Sequence, residues 1–105
     1  MSGEDALDQK IRVVLADDQV LVRSGFEVLL NNEADIEVVG TASEGEAAVA
    51  LAHQHQPDVV LMDVRMPGMD GLTATELITG NEDLAEVKVL VLTTFDLDEY
   101  VYEAL

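Results

Sequence analysis

Residues 58–71 read DVVLMDVRMPGMDG. Four apolar side chains at 59–62 run straight into the carboxylate of Asp63, and a loop rich in glycine and proline follows. A short apolar run closed by turn residues predicts a buried strand, Val59–Asp63. Such a strand gains nothing from a charge at its end. Taking an unpaired carboxylate out of water costs several kcal/mol, so Asp63 requires partners, and the rest of the chain has to supply them.

Working outward, three further segments share the strand signature: Ile11–Ala16 (IRVVLA), Ile36–Ala42 (IEVVGTA) and residues 87–93 (VKVLVLT). Helical spacing fills the gaps. Val22, Phe26, Leu29 and Leu30 recur between the first two strands, and Ala47, Ala48, Leu51 and Ala52 fall on one face after the second. Ser43 with Glu46 forms a capping-box pattern that would start this second helix. A third helix is predicted near 71–79, burying Leu72 and Leu77 or Ile78. A fourth begins near 96–98 and carries Tyr100, Val101 and Ala104.

The alternation βαβαβαβα demands parallel pairing with right-handed crossovers. The nearly unbroken apolar strands at 11–16, 59–63 and 87–93 suit positions covered on both faces, whereas IEVVGTA fits an edge. The fold class is therefore α/β, a flavodoxin-like doubly wound parallel sheet of order 2-1-3-4. Residues 1–10 read as a flexible leader and 11–105 as one domain. The strand at 87–93 is a poor edge, because an unpaired apolar strand invites a second chain. Self-association through that edge or through the fourth helix is expected.

Composition narrows the function. Twenty-two acidic residues face five basic ones, for a formal net charge of −17. Such a surface repels phosphate backbones, so nucleic-acid binding by this segment is not expected. With no cysteine there is no disulfide, thiolate metal site or thiol nucleophile. No apolar run approaches the roughly 20 residues of a membrane span, and the acidic start MSGEDALDQK is unlike a signal peptide. A cytoplasmic location is the default expectation.

In open parallel sheets ligands bind beyond the carboxyl ends of the strands. That rule selects Asp17 and Asp18 after the first strand, Asp63 after the third, and Thr93 and Thr94 after the fourth. Each has a bland explanation alone: a helix cap for Asp17 or Asp18, a turn former for Asp63, β-propensity for the threonines. Together the carboxylates are harder to dismiss. Two of them about 4 Å apart repel by about 4 kcal/mol at an effective dielectric near 20. Three must hold extra protons or a cation, and oxygen-only ligands select a hard ion such as Mg²⁺. Asp63 then has a role as nucleophile, forming an aspartyl phosphate. The Thr93 hydroxyl, one strand over, would donate to a phosphoryl oxygen.

ADDQVLVRSG, DVVLMDVRMPGMDG and VLVLTTFD, in this order and spacing, resemble the receiver domain of bacterial response regulators, most nearly the NarL/FixJ class of transcription factors. The resemblance runs from about residue 11 to 105. It implies that Asp63 accepts a phosphoryl group from a sensor histidine kinase. It implies direct Mg²⁺ ligation by Asp18, Asp63 and the Arg65 backbone carbonyl, with Asp17 acting through water. Thr93, with Thr94 beside it, would be the switch, and Pro67, Gly68 and Gly71 would set the turn after the acceptor. Tyr100 and Val101 would face a partner in a dimer. The complete protein of this class binds DNA through a separate domain. Measured against the family, the chain stops before a fifth strand, a fifth helix, a lysine and an aromatic switch residue, so it is expected to be an incomplete receiver. Arg65 and Phe95 stand where the family admits hydrolytic water, which implies slow self-dephosphorylation.

Rival readings fit less well. A haloacid-dehalogenase-like phosphohydrolase needs an Asp two residues after its nucleophile, where this chain has Arg65. A nucleotide- or flavin-binding module needs a glycine-rich loop after the first strand, where this chain has carboxylates. A phosphorylation-impaired docking or dimerisation fragment is the remaining alternative. His53 and His55 read as exposed helix-ending residues, and Met66 and Met69 as loop packing.

Overall fold

The first strand, β1 (Ile11–Ala16), draws its burial from an uninterrupted apolar run: Val13, Val14, Leu15 and Ala16 are all shielded from solvent. It sits at the centre of a four-stranded parallel sheet in a computed structural model that describes residues 9–92. The elements that follow are α1 (Val20–Asn31), β2 (Ile36–Ala42), α2 (Gly45–His55), β3 (Val59–Asp63), α3 (Gly71–Thr79), a 3₁₀ turn at Glu82–Leu84, and β4 (Lys88–Leu92). The strand order is β2-β1-β3-β4. β1 and β3 are direct neighbours, with Ala16 opposite Met62. This places the chain leaving β1 beside the chain leaving β3, as the doubly wound reading requires.

The sheet is covered unequally. On one face α2 and α3 pack against each other and against the strands. There Val14, Ala16, Val60 and Met62 meet Ala48, Ala52, Ala74 and Ile78 in a single buried cluster with Leu84 and Val87. Small alanines on the helices let them approach the sheet closely, a packing density that gives each methyl group value. On the other face α1 contacts β2 and β1 and buries no residue of its own. Leu90 of β4 is exposed, as are Leu21, Val28 and Leu29 of α1. The expectation that β4 is covered on both faces therefore does not hold among the described residues, because α1 reaches β1 and β2 only. In the sheet as described, β4 is an edge.

Several local readings need correction. The second helix does not use the Ser43–Glu46 capping box. Its N-cap is Glu44, with no side-chain cap bond, and the helix begins at Gly45. Gly45 decides this: it lies against the Met69 carbonyl, where a Cβ would collide, so helix packing rather than capping sets the start. Ala47 is exposed, while Ala48 and Ala52 are buried. In α3 Ile78 is buried as expected, with Gly71 and Ala74, whereas Leu72 and Leu77 are exposed. Phe26 and Leu29 lie on the outer side of α1. Val87 precedes β4 and donates its N–H to the Leu84 carbonyl at 3.0 Å, in a turn that follows the 3₁₀ turn. Most of the leader, and Thr93, Thr94, Tyr100 and Val101, fall outside the described residues.

Candidate functional site

Two strand-to-helix junctions meet at the carboxyl edge of the sheet. β1 ends at Ala16, and Asp17 and Asp18 follow; β3 ends at Asp63. The residues are brought together as the sequence suggests. One oxygen from each of Asp17, Asp18 and Asp63 lies within 4.8 Å of the others. Asp17 and Asp63 are each only 2% exposed, while Asp18 is open to solvent.

The β1–α1 junction is held by polar contacts. Asp17 N–H donates to the Ala42 carbonyl of β2 at 3.0 Å. Gln19 N–H donates to Asp17 Oδ1 at 2.8 Å, and Arg23 Nη1 donates to the Asp17 carbonyl at 2.7 Å. Burial raises the Asp17 carboxyl above its ordinary range, and the charges of Asp63 and Asp18 push it the same way. The Gln19 N–H and the Arg23 guanidinium lower it without cancelling the rise. A buried acid with two acidic neighbours favours a proton or a cation.

The β3–α3 junction is held by close approach. Arg65 N–H donates to Asp63 Oδ1 at 3.3 Å, and Val64 N–H to the Leu92 carbonyl at 3.3 Å. Gly68 has φ +72°, the left-handed region that favours glycine. Gly71 donates to the Val64 carbonyl at 3.0 Å. A Cβ on Gly71 would strike the Asp63 carbonyl, so only glycine lets α3 begin this near the acid. Asp70 caps α3, its Oδ1 accepting from Thr73 N–H at 2.8 Å. That bond, with the Thr73 hydroxyl, holds the Asp70 carboxyl below its ordinary value.

The donor set fits a hard divalent ion such as Mg²⁺: oxygen only, at least three carboxylates, two of them buried. His53 and His55 lie at the far end of the sheet, where the His55 carbonyl accepts from Arg12 Nη1 at 2.7 Å. Met66 is buried in the core cluster and Met69 packs against it. Sequence reasoning missed Gln19 and Arg23, which secure the acidic pair. The available signal was an arginine six residues beyond Asp17, on the second turn of α1.

Comparison with known proteins identifies the family. The response regulator receiver domain family matches residues 13–105. The chain belongs to that family. It is 49% identical over 96 residues to the transcriptional regulatory protein YxjL of Bacillus subtilis, spanning 91% of this chain and 43% of that protein. It is 45% identical to the oxygen regulatory protein NreC of Staphylococcus carnosus, spanning 90% of this chain and 43% of that protein. The chain thus spans less than half the length of these curated relatives. Among solved structures, the receiver domain of a response regulator described as NarL, from Mycobacterium tuberculosis, superposes with TM-score 0.78 at 40% identity. That match covers 91% of this chain and 76% of the other. A DNA-binding response regulator of the LuxR family from Staphylococcus aureus superposes with TM-score 0.74 at 31% identity, covering 90% and 77%. The chain is a receiver domain of the NarL/LuxR class. No helix among the described residues is long and apolar enough to cross a membrane.

Proposed function

We propose that Asp63 accepts a phosphoryl group from a phosphohistidine of a sensor histidine kinase, with Mg²⁺ held by Asp18, Asp63 and the Arg65 carbonyl and, through water, by Asp17. The observation that carries this reading is the convergence of three carboxylates from two neighbouring strand ends, with Asp17 and Asp63 both buried. Bound Mg²⁺ supplies charge neutralisation for the three acids and for the incoming phosphoryl oxygens.

The chain's own residues do the rest. An Asp63 oxygen attacks phosphorus in line, the P–N bond to the donor imidazole breaks, and that nitrogen recovers its electron pair and takes a proton. Arg65 N–H, on Asp63 Oδ1 at 3.3 Å, orients the attacking carboxylate. Gly71 keeps α3 clear of the Asp63 carbonyl. Thr93 and Thr94 continue the chain directly after β4, whose Leu92 pairs with Asp63, which supports a hydroxyl donor from that strand. Added phosphoryl charge would bias this strand end between two states and, through Tyr100 and Val101, alter homodimerisation. The edge of β4 is a second surface for self-association. In a protein of the length of these relatives, the output would be DNA binding by another domain and control of transcription. Arg65 and Phe95 stand in the sequence two residues beyond Asp63 and Thr93, where the family admits hydrolytic water, and self-dephosphorylation is therefore slow.

The test is phosphorylation by a small-molecule phosphodonor with Mg²⁺, followed by mass spectrometry. The expected product is one hydroxylamine-labile acyl phosphate on Asp63. Its absence from the wild-type chain, or its persistence in Asp63→Asn, contradicts the reading.

A further inference from the structure

Asp17 and Asp18 are neighbours in the chain, and along extended backbone neighbouring side chains point to opposite sides. Both nevertheless bring an oxygen to within 4.8 Å of one from Asp63. The backbone has to bend after β1 for this, and the bend has to be held. Helix capping does not hold it: Gln19, the N-cap of α1, makes no side-chain cap bond, and the first turn carries no acidic residue. Gln19 N–H grips only the Asp17 carboxylate, at 2.8 Å.

Beyond the Asp17 N–H bond to β2, the side-chain tether on this bend among the described residues is Arg23. Its guanidinium reaches back from the second turn of α1 and donates to the Asp17 carbonyl at 2.7 Å. That carbonyl belongs to the planar peptide joining Asp17 to Asp18. Fixing its direction fixes the plane from which both side chains depart. The donor is half-buried, so water competes weakly for the bond.

We propose that Arg23 is a positioning residue: by setting the Asp17–Asp18 peptide, it aims both carboxylates at the cation shared with Asp63. The inference rests on the Mg²⁺ reading above. It differs in sign from a role for charge alone. A guanidinium beside a divalent-ion site repels the ion, so an arginine acting only through its charge would bind Mg²⁺ more tightly when removed. An arginine that positions its ligands would bind it less tightly. Outer partners of metal ligands typically matter by 10–100-fold in affinity, and a tether on the backbone belongs at the lower end, about tenfold.

The experiment is Mg²⁺ titration calorimetry on the 105-residue chain at fixed ionic strength, with amide hydrogen exchange in Mg²⁺-free buffer. Arg23→Ala is expected to weaken Mg²⁺ binding about tenfold and to speed exchange at Asp18 and Gln19 while leaving β3 unchanged. Arg23→Lys, which keeps a long-reaching donor, recovers most of the affinity. Unchanged or tighter binding by Arg23→Ala overturns the proposal. Should Arg23→Ala not fold, Arg23→Lys against Arg23→Gln decides it: positioning makes the longer lysine bind more tightly, and charge alone favours glutamine. Wild-type protein that binds no Mg²⁺, or binds it equally well as Asp63→Asn, refutes the metal reading itself. That outcome is distinct from the failure of Arg23 to matter.

Discussion

The two junctions that form the site reach the same point by opposite means. At β3–α3 the backbone is placed by exclusion: Gly71 lies against the Asp63 carbonyl, Gly45 lies against the Met69 carbonyl, and Asp70 caps the helix. At β1–α1 the N-cap Gln19 makes no side-chain cap bond, and the bend is tied by the Gln19 N–H and Arg23 onto Asp17. Steric placement is rigid and indifferent to salt. Hydrogen-bonded placement can be removed one side chain at a time. Asp63, the proposed nucleophile, thus stands on the stiffer junction, and Asp17 and Asp18 on the more adjustable one.

The sharpest way to break this contrast is Gly71→Ala. Its methyl group meets backbone, which cannot rotate away, so the expected loss is about 3 kcal/mol or more, beyond ordinary overpacking. Thermal unfolding checks it, and a near wild-type midpoint would show that the β3–α3 junction can give. Gly45→Ala presses on the Met69 carbonyl of the same loop and should cost about 1–3 kcal/mol, read from urea unfolding.

On the other side, Asp17→Asn removes a charge that burial and two acids disfavour. The sign follows from the raised folded pKa. Acids of this kind stabilise the fold below their unfolded pKa, and that contribution is lost as pH rises through the folded value. In Mg²⁺-free buffer at neutral pH, Asp17→Asn should therefore melt higher than wild type, with the advantage vanishing under acid conditions. A lower melting point at neutral pH would contradict the electrostatics assigned to this junction.

Gly25→Ala provides a control within α1. Nothing lies within 4 Å of the added methyl group, so the exchange should stabilise by about 0.5–1 kcal/mol and leave Mg²⁺ affinity unchanged. An effect of similar size is that of Asp70→Ala, a drop of a few degrees in melting temperature above the carboxylate range. The folded Asp70 pKa is lowered, so its contribution is present above the unfolded value and disappears as pH falls through the folded one. A difference between the two proteins that grows under acid conditions would contradict the cap.

Much of this fold can be read directly. Ile11–Ala16, Ile36–Ala42 and Val59–Asp63 are strands with the bounds their apolar runs imply, and the order β2-β1-β3-β4 follows from alternation and handedness. Helix faces were harder to read. Leu72 and Leu77 look like core residues but lie outward, because Ala74 and Ile78 fill the narrow space over the sheet. Ser43 and Glu46 have the spacing of a capping box, yet the fit of Gly45 against a neighbouring loop sets that helix start. At the site, the carboxylates were legible because strand ends converge by rule. Arg23 was not, since its role depends on a side chain turning back across a bend that only the folded chain makes. Thr93, Thr94, Tyr100 and Val101 lie outside the described residues, and their assignments rest on sequence.

On the proposed reading, Asp63 receives a phosphoryl group beside a cation that it shares with Asp17 and Asp18. The most direct measurement is ¹⁹F nuclear magnetic resonance of the chain with beryllofluoride, a phosphoryl mimic that needs a carboxylate oxygen, in the presence and absence of Mg²⁺. The expected result is a bound signal that requires Mg²⁺, is lost in Asp63→Asn and weakens in Asp18→Asn. A bound signal that survives Asp63→Asn, or that forms equally well without Mg²⁺, would contradict it.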